Sequence, residues 1–251
     1  MKKTVRLNQN TGMLKLIAIV TMLIDHVGAV FYQHLPIMRM IGRLAFPIFC
    51  YCIAVGAVYT RSMGKYMLRL LFVGLISQPF YVLAMQHVSA EMAVLNFSNQ
   101  PLQSALSWYM GSLQYGNIMF ALALGLAVIW SLQEKKYAIT ALIAAAVWFT
   151  SPYLRSSYDW HGVVLMVLFY VLIDAPVHSF FCVSIYMAWW VFYGGRTSIL
   201  APSMSTQAWS MCALPLIYLP FHGNLKLNKW IFYLFYPGHL ALIYLFNCMP
   251  R

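Results

Sequence analysis

The sequence predicts an all-α, polytopic integral membrane helix bundle, and three observations predict it. The 251 residues are 62% hydrophobic and 8% charged, against about 45–50% and about 25% in a soluble domain. So little polar surface cannot cover an apolar core in water, whereas lipid as solvent removes the need. Apolar runs long enough to cross a bilayer, roughly 20 residues, recur along the whole chain. The sixteen Lys and Arg behind the net charge of +11 punctuate the ends of those runs, as membrane orientation and anionic headgroups require. They form no basic stripe or basic domain, which argues against nucleic acid as a partner.

In chain order, strong candidate spans cover 13–33, 41–60, 66–85, 117–132, 179–194 and 230–248. Weaker ones cover 137–150, which is short, 161–174, and 205–220, where Pro215 predicts a kink. The expectation is about nine transmembrane helices, eight to ten, in a single domain over 1–251. The first run follows Lys2, Lys3 and Arg6 and is too long for a signal-peptide core, so it reads as a retained signal anchor. The polar and aromatic connection from 86 to 116, with Asn96, Ser98, Asn99, Gln100, Pro101 and Trp108, has the length of a lid or an interfacial helix. Cys50, Cys52, Cys182, Cys212 and Cys248 lie in or beside apolar runs without a CxxC pair. They read as small buried residues, and no metal site is expected.

Orientation follows from counting basic residues. With the N-terminus inside, eleven (Lys2, Lys3, Arg6, Lys15, Arg61, Lys65, Arg69, Lys135, Lys136, Lys226, Lys229) fall on the inner side. Five (Arg39, Arg43, Arg155, Arg196, Arg251) fall outside. The excess predicts a cytoplasmic N-terminus.

The polar groups left within the spans are the candidate functional residues. Asp25 and His26 interrupt LIAIVTMLIDHVGAV in the first span, where a carboxylate costs at least ~2.5–3.5 kcal/mol. The plain reading is an ion pair with an Arg on a neighbouring helix; the sharper one is a proton-handling or catalytic site. Lys15 stands eleven residues before His26. At about 100° and 1.5 Å per residue the two share a helix face, roughly 16 Å apart. A cation at the cytoplasmic boundary and an imidazole mid-membrane suit a phosphate-bearing cosubstrate with a long flexible arm, such as acyl-CoA. Asp25 points away from that face. Arg43, in IGRLAFPIF, is either an interfacial anchor, a partner for Asp25 or a clamp on a substrate oxyanion, and Gly42 beside it permits close helix approach. Asn117, and Tyr158 with Asp159 and His161, open spans from the outer side, while His239 approaches the same depth from the inner end of the last span. Together they read as the lining of a cavity. Lys65 and Arg69 sit at the inner end of the third span, either as topology determinants or as a phosphate-binding rim with Lys15.

These motifs resemble the TraX family of integral membrane proteins, named for the acetylase of conjugative pilin. The resemblance rests on LKLIAIVTMLIDH (14–26), GRLAFPIF (42–49), RLLFVGLISQPFY (69–81), GNIMFALALGL (116–126), the SYxxxG of 157–162 and YPGHLALIYL (236–245), spread in order over most of the chain. The family is in turn distantly similar to large membrane acyltransferases that carry O-acetyl groups across bacterial envelopes. Those have a cation and a His with ten residues between them in the first helix, the spacing of Lys15 and His26. The family pattern has Gly where this chain has Asp159, and His161 is an addition, so neither is carried over as a family site.

What the resemblance implies is acetyl transfer in the bacterial inner membrane, from cytoplasmic acetyl-CoA to a peptide or glycan acceptor. Lys15, with Lys65 and Arg69, then holds the CoA phosphates, and His26 serves as general base. Asp25 and Arg43 form a positioning pair, Asn117 or Arg43 stabilises the oxyanion, and His239 completes the site. Two other classes stay open: a proton-coupled transporter using Asp25 and His26, disfavoured by the lack of a visible internal repeat, and a non-catalytic assembly factor for surface appendages.

Overall fold

A computed structural model describes residues 3–87, 100–150, 158–193, 206–220, 225 and 228–249. Among them there are helices and no strands. The helices are α1 (Gly12–Phe31), α2 (Pro36–Gly42), α3 (Ala45–Tyr59), α4 (Met63–Ala84), α5 (Pro101–Ser112), α6 (Ile118–Gln133), α7 (Tyr137–Thr150), α8 (Asp159–Val171), α9 (Pro176–Tyr193), α10 (Ala213–Tyr218) and α11 (Lys229–Cys248). A 3₁₀ turn, Thr206–Cys212, precedes α10.

Side chains are turned inside out relative to a soluble protein, with Leu68, Phe72, Leu142, Phe149, Leu234 and Phe246 all more than half exposed. A bundle solvated by lipid requires such an apolar exterior. By length and composition, four stretches among the described residues can cross a bilayer: Gly12–Phe31, Pro36–Tyr59, Met63–Ala84 and Trp230–Cys248. The expected count of nine is not reproduced. The sixteen residues of α6 reach only about 24 Å, short of the ~30 Å hydrocarbon core; α7 and α8, with fourteen and thirteen residues, are shorter still, and the eighteen of α9 end where the described residues end. The expected kinked span at 205–220 divides into the 3₁₀ turn and the six residues of α10, neither of membrane length.

The core forms where α1, α3, α4, α6, α8 and α11 meet, around Phe46, Leu126, Phe169 and Tyr236. Phe46 and Leu126 are buried from α3 and α6, and Tyr236 from α11. By contrast α7 buries only Val147, which packs with Val128 and Val163 as a satellite cluster.

Two local devices place the functional residues. The stretch Pro36–Tyr59 is broken at Arg43–Leu44, after Gly42 and just ahead of Pro47. Pro47 sits in the first turn of α3, where its missing N–H is not needed. The break allows Arg43 to leave the line of α2. In α4, Pro79 frees the carbonyl four residues back, that of Leu75. The Tyr109 hydroxyl of α5 donates to that carbonyl at 2.8 Å. One residue before Pro79, Gln78 donates to the carbonyls of Ser112 (2.6 Å) and Tyr115 (3.0 Å). Thus part of the long connection expected to form a lid or interfacial helix is α5, tied to the kink of α4.

Candidate functional site

Lys15, Ile19, Met22 and His26 form one stripe along α1, and two hollows open against it. The inner hollow, about 650 Å³, is lined by Lys15, Cys52, Tyr66, Phe232, Tyr233 and mainly apolar neighbours. Lys15 Nζ stands 5.5 Å from the Phe232 ring. The outer hollow, about 550 Å³, holds Asp25, His26, Arg39, Arg43 and Tyr158. Met22 and Tyr236 line both. Lys15 and His26 thus line two neighbouring hollows on one face of α1.

His26 meets His239 across the bundle. Their rings stack with centroids 5.1 Å apart and planes 4° from parallel, and His26 Nδ1 lies 2.8 Å from His239 Nε2. The proton positions follow from the outer partner. His239 Nδ1 is 2.8 Å from the Phe235 carbonyl, which only accepts, so Nδ1 carries the hydrogen. In neutral His239, Nε2 then offers a lone pair, and His26 Nδ1 must donate to it. That leaves Nε2 of His26 as its proton-accepting nitrogen.

Asp25 is paired, but not with the expected arginine. Arg39 Nη1 donates to Asp25 Oδ2 at 2.6 Å and to the Asp25 backbone carbonyl at 3.3 Å. This corrects the expectation of an Asp25–Arg43 pair. Arg39 lies within α2, which packs on α1, whereas Arg43 follows the helix end and turns to the Tyr158 phenol. Tyr158 in turn stacks on Phe46 at 3.5 Å. Close approach of the two helices depends on Gly42, where an added Cβ would lie 2.2 Å from Asp25 Oδ1. Two polar atoms of this group, Asp25 Oδ1 and Arg43 Nε, are buried without a hydrogen-bond partner.

Asn117 does not join them. Its Oδ1 accepts from the Met119 N–H (3.0 Å) as N-cap of α6, and its Nδ2 donates to the Gly74 carbonyl and Gln78 Oε1, both at 2.8 Å. Both amide hydrogens are committed, so the oxyanion role expected of Asn117 is corrected to a structural one. Lys65 and Arg69 also lie apart from the Lys15 hollow. Lys65 is exposed, and Arg69 packs against the Tyr66 and Tyr233 rings, which line that hollow in its place. Of the three cations expected to share a phosphate rim, Lys15 lines that hollow and Lys65 and Arg69 do not.

His161 belongs to an aromatic cluster, with Nδ1 3.1 Å from the Tyr186 hydroxyl and its ring stacked on Trp160 and Trp190. The Asp159 side chain, Arg155, Ser157, Arg196, Lys226 and Arg251 fall outside the described residues. Among the described residues no group of three or more His, Cys, Asp or Glu could hold a metal ion.

Sequence reasoning counted Arg39 only as an outer charge. Its spacing of four from Arg43 was the available signal, because two guanidinium groups one turn apart beside a buried carboxylate compete for it.

Comparison with known protein families matches residues 10–247 to the TraX protein family. The chain belongs to the TraX family. Every residue of the two hollows that contributes a charge or an imidazole, from Lys15 to Arg43, lies within that match, as do Tyr158 and His239. Over 242 residues and 92% of each chain, this TraX protein is 27% identical to the probable fimbrial assembly protein FimC, serogroup H1, of Dichelobacter nodosus. A stretch of 39 residues, 16% of each chain, is 51% identical to an uncharacterized protein of Rickettsia prowazekii (strain Madrid E). No solved structure matches it.

Proposed function

We propose that this TraX protein is a membrane-embedded acetyltransferase of the bacterial inner membrane, with its N-terminus in the cytoplasm. It moves an acetyl group from cytoplasmic acetyl-CoA to an envelope acceptor, a pilin-type N-terminal amine or a glycan hydroxyl. The observation that carries the reading is the oriented His26, which lines the outer hollow one turn along α1 from Met22, a residue of both hollows. Lys15 at one end of an apolar and aromatic hollow fits a cosubstrate that joins phosphates to an extended arm. The outer hollow offers the acceptor a separate approach.

The roles follow from the hydrogen bonds. His239 is a positioning residue: held by the Phe235 carbonyl, it fixes the His26 tautomer. His26 Nε2 takes the proton from the acceptor amine or hydroxyl as the acyl bond to that atom forms. It returns the proton to the CoA thiolate as the thioester bond breaks. Arg43, with Nε unpartnered, supplies charge to the oxyanion, and the Asp25–Arg39 pair holds α2 against α1. The fimbrial-assembly name of the Dichelobacter relative agrees with an acceptor in a surface appendage.

The test uses the purified protein in lipid nanodiscs with labelled acetyl-CoA and envelope extract. His26→Ala should abolish transfer while CoA still binds, and His239→Ala should lower the transfer rate with CoA affinity unchanged. Lys15→Gln should weaken CoA binding. Failure of the wild type to bind CoA, with envelope assembly in cells surviving His26→Ala, would overturn the proposal.

A further inference from the structure

Arg69 has no part in that reaction, yet its surroundings are unusual for a cation. α4 and α11 start at the same end of the bundle and lie along one another. Between the second and third turns of α4 and the start of α11 they leave a groove of about 670 Å³ lined by Leu68, Arg69, Phe72, Val73, Trp230 and Tyr233. This groove is on the outside: Leu68 is 63%, Phe72 65% and Trp230 52% exposed, and Ile231 and Leu234 beside them are exposed too. On a membrane-spanning helix pair, such a surface meets lipid.

A guanidinium faces this apolar groove. It lies 5.8 Å from the Tyr66 ring and 6.0 Å from the Tyr233 ring, and it hydrogen-bonds the Tyr233 hydroxyl. Among the described residues no carboxylate forms an ion pair with it, and its Nε is buried with no hydrogen-bond partner. The two rings and the hydroxyl leave its positive charge without a counter-ion, and a guanidinium in that state is free to take an anion. Lys65, exposed one turn earlier on α4, adds a second positive charge at the groove mouth. Trp230 and Tyr233 supply the aromatic pair typical of headgroup depth.

We propose that this groove binds an anionic phospholipid. Its phosphodiester sits on Arg69, and one acyl chain lies over Leu68, Phe72 and Val73. Charge complementarity and the apolar floor together select a lipid. A CoA phosphate would bring no chain for the floor, and the Tyr66 and Tyr233 rings stand between Arg69 and the Lys15 hollow. The inference is independent of the acetyltransferase reading.

The experiment is native mass spectrometry of the purified, delipidated protein titrated with phosphatidylglycerol and phosphatidylcholine of identical chains. Wild type should prefer phosphatidylglycerol. Arg69→Gln should lower that affinity roughly ten- to hundredfold, the range for a charge-assisted hydrogen bond, with phosphatidylcholine binding unchanged. Arg69→Lys should keep part of the preference, and Lys135→Gln all of it. On the unaltered protein, a photoactivatable phosphatidylglycerol should label Leu68, Phe72 or Trp230, a readout that needs no variant to fold. Equal phosphatidylglycerol affinity in Arg69→Gln, or labelling elsewhere on the bundle, would overturn the proposal. So would an Arg69→Gln protein that loses CoA affinity and keeps its lipid preference.

Discussion

Replacing Arg39 by Gln tests whether the intramembrane carboxylate is held as a pair or merely tolerated. In the wild type Arg39 Nη1 lies 2.6 Å from Asp25 Oδ2, and Asp25 Oδ1 is buried with no hydrogen-bond partner. The substitution therefore removes the cation bound to a carboxylate that is already half unsatisfied. Orphaning one member of a buried pair costs about 3–5 kcal/mol. The Arg39 and Asp25 side chains keep 29% and 15% exposure, which places this pair at the low end. A loss of about 3 kcal/mol changes the folded-to-unfolded ratio by a factor of roughly 150. Asp25→Asn should cost less, because the Asp25 backbone carbonyl still accepts from Arg39. The double variant joins two neutral amides and should recover a large part of the summed loss. The assay is equilibrium unfolding of all four proteins in mixed micelles of mild detergent and SDS, followed by tryptophan fluorescence. Single-variant losses that add to within about 0.5 kcal/mol in the double variant, the margin for independent sites, would refute a coupled pair.

Two further predictions address packing. Gly42→Ala puts a Cβ 2.2 Å from Asp25 Oδ1 and should destabilise by about 1–3 kcal/mol or more, the cost of overpacking; a wild-type unfolding temperature in detergent would show that α1 and α2 part easily. Asn117→Ala removes the cap of α6 and leaves the Gly74 carbonyl and Gln78 amide short of a donor, together about 3 kcal/mol. It should leave the transfer rate per folded molecule intact, so a fully folded variant with a depressed rate would return Asn117 to the reaction.

What could be read from the sequence was whatever lies along a single helix. Lys15 and His26 share a face because the α-helical repeat dictates it, and the structure sets them along one stripe with Ile19 and Met22. Gly42 was legible as a close-approach residue beside a polar span. Partnerships between helices were not. Nothing in FYPGHLAL announces that His239 meets His26 rather than another polar group, since that depends on how α11 leans on α1. Asp25 found Arg39 instead of Arg43 because the break at Arg43–Leu44 redirected the later side chain, and breaks of one or two residues leave little trace in composition. Asn117 read as a cavity residue for want of a view of its neighbours; Asn ahead of an apolar run is also a helix-cap signature, and capping is what it does. The span count was legible only in part. Apolar composition marks contact with lipid or core alike, so it does not tell a short helix packed in the core, such as α6, from one that crosses the bilayer.

The wall shared by the two hollows has an electrical meaning. Among the described residues Met22 and Tyr236 line both, so a charge passing from one hollow to the other would cross the layer that these two side chains form. In an energised membrane the voltage drop concentrates across such a layer, and moving a unit charge through the full potential is worth about 2.3 kcal/mol per 100 mV. His26, on the same stripe as Met22, would exchange its proton inside that field. On the acetyltransferase proposal, a substrate pair meeting here could pass a group from one hollow to the other, and its turnover would then respond to the polarisation of the membrane.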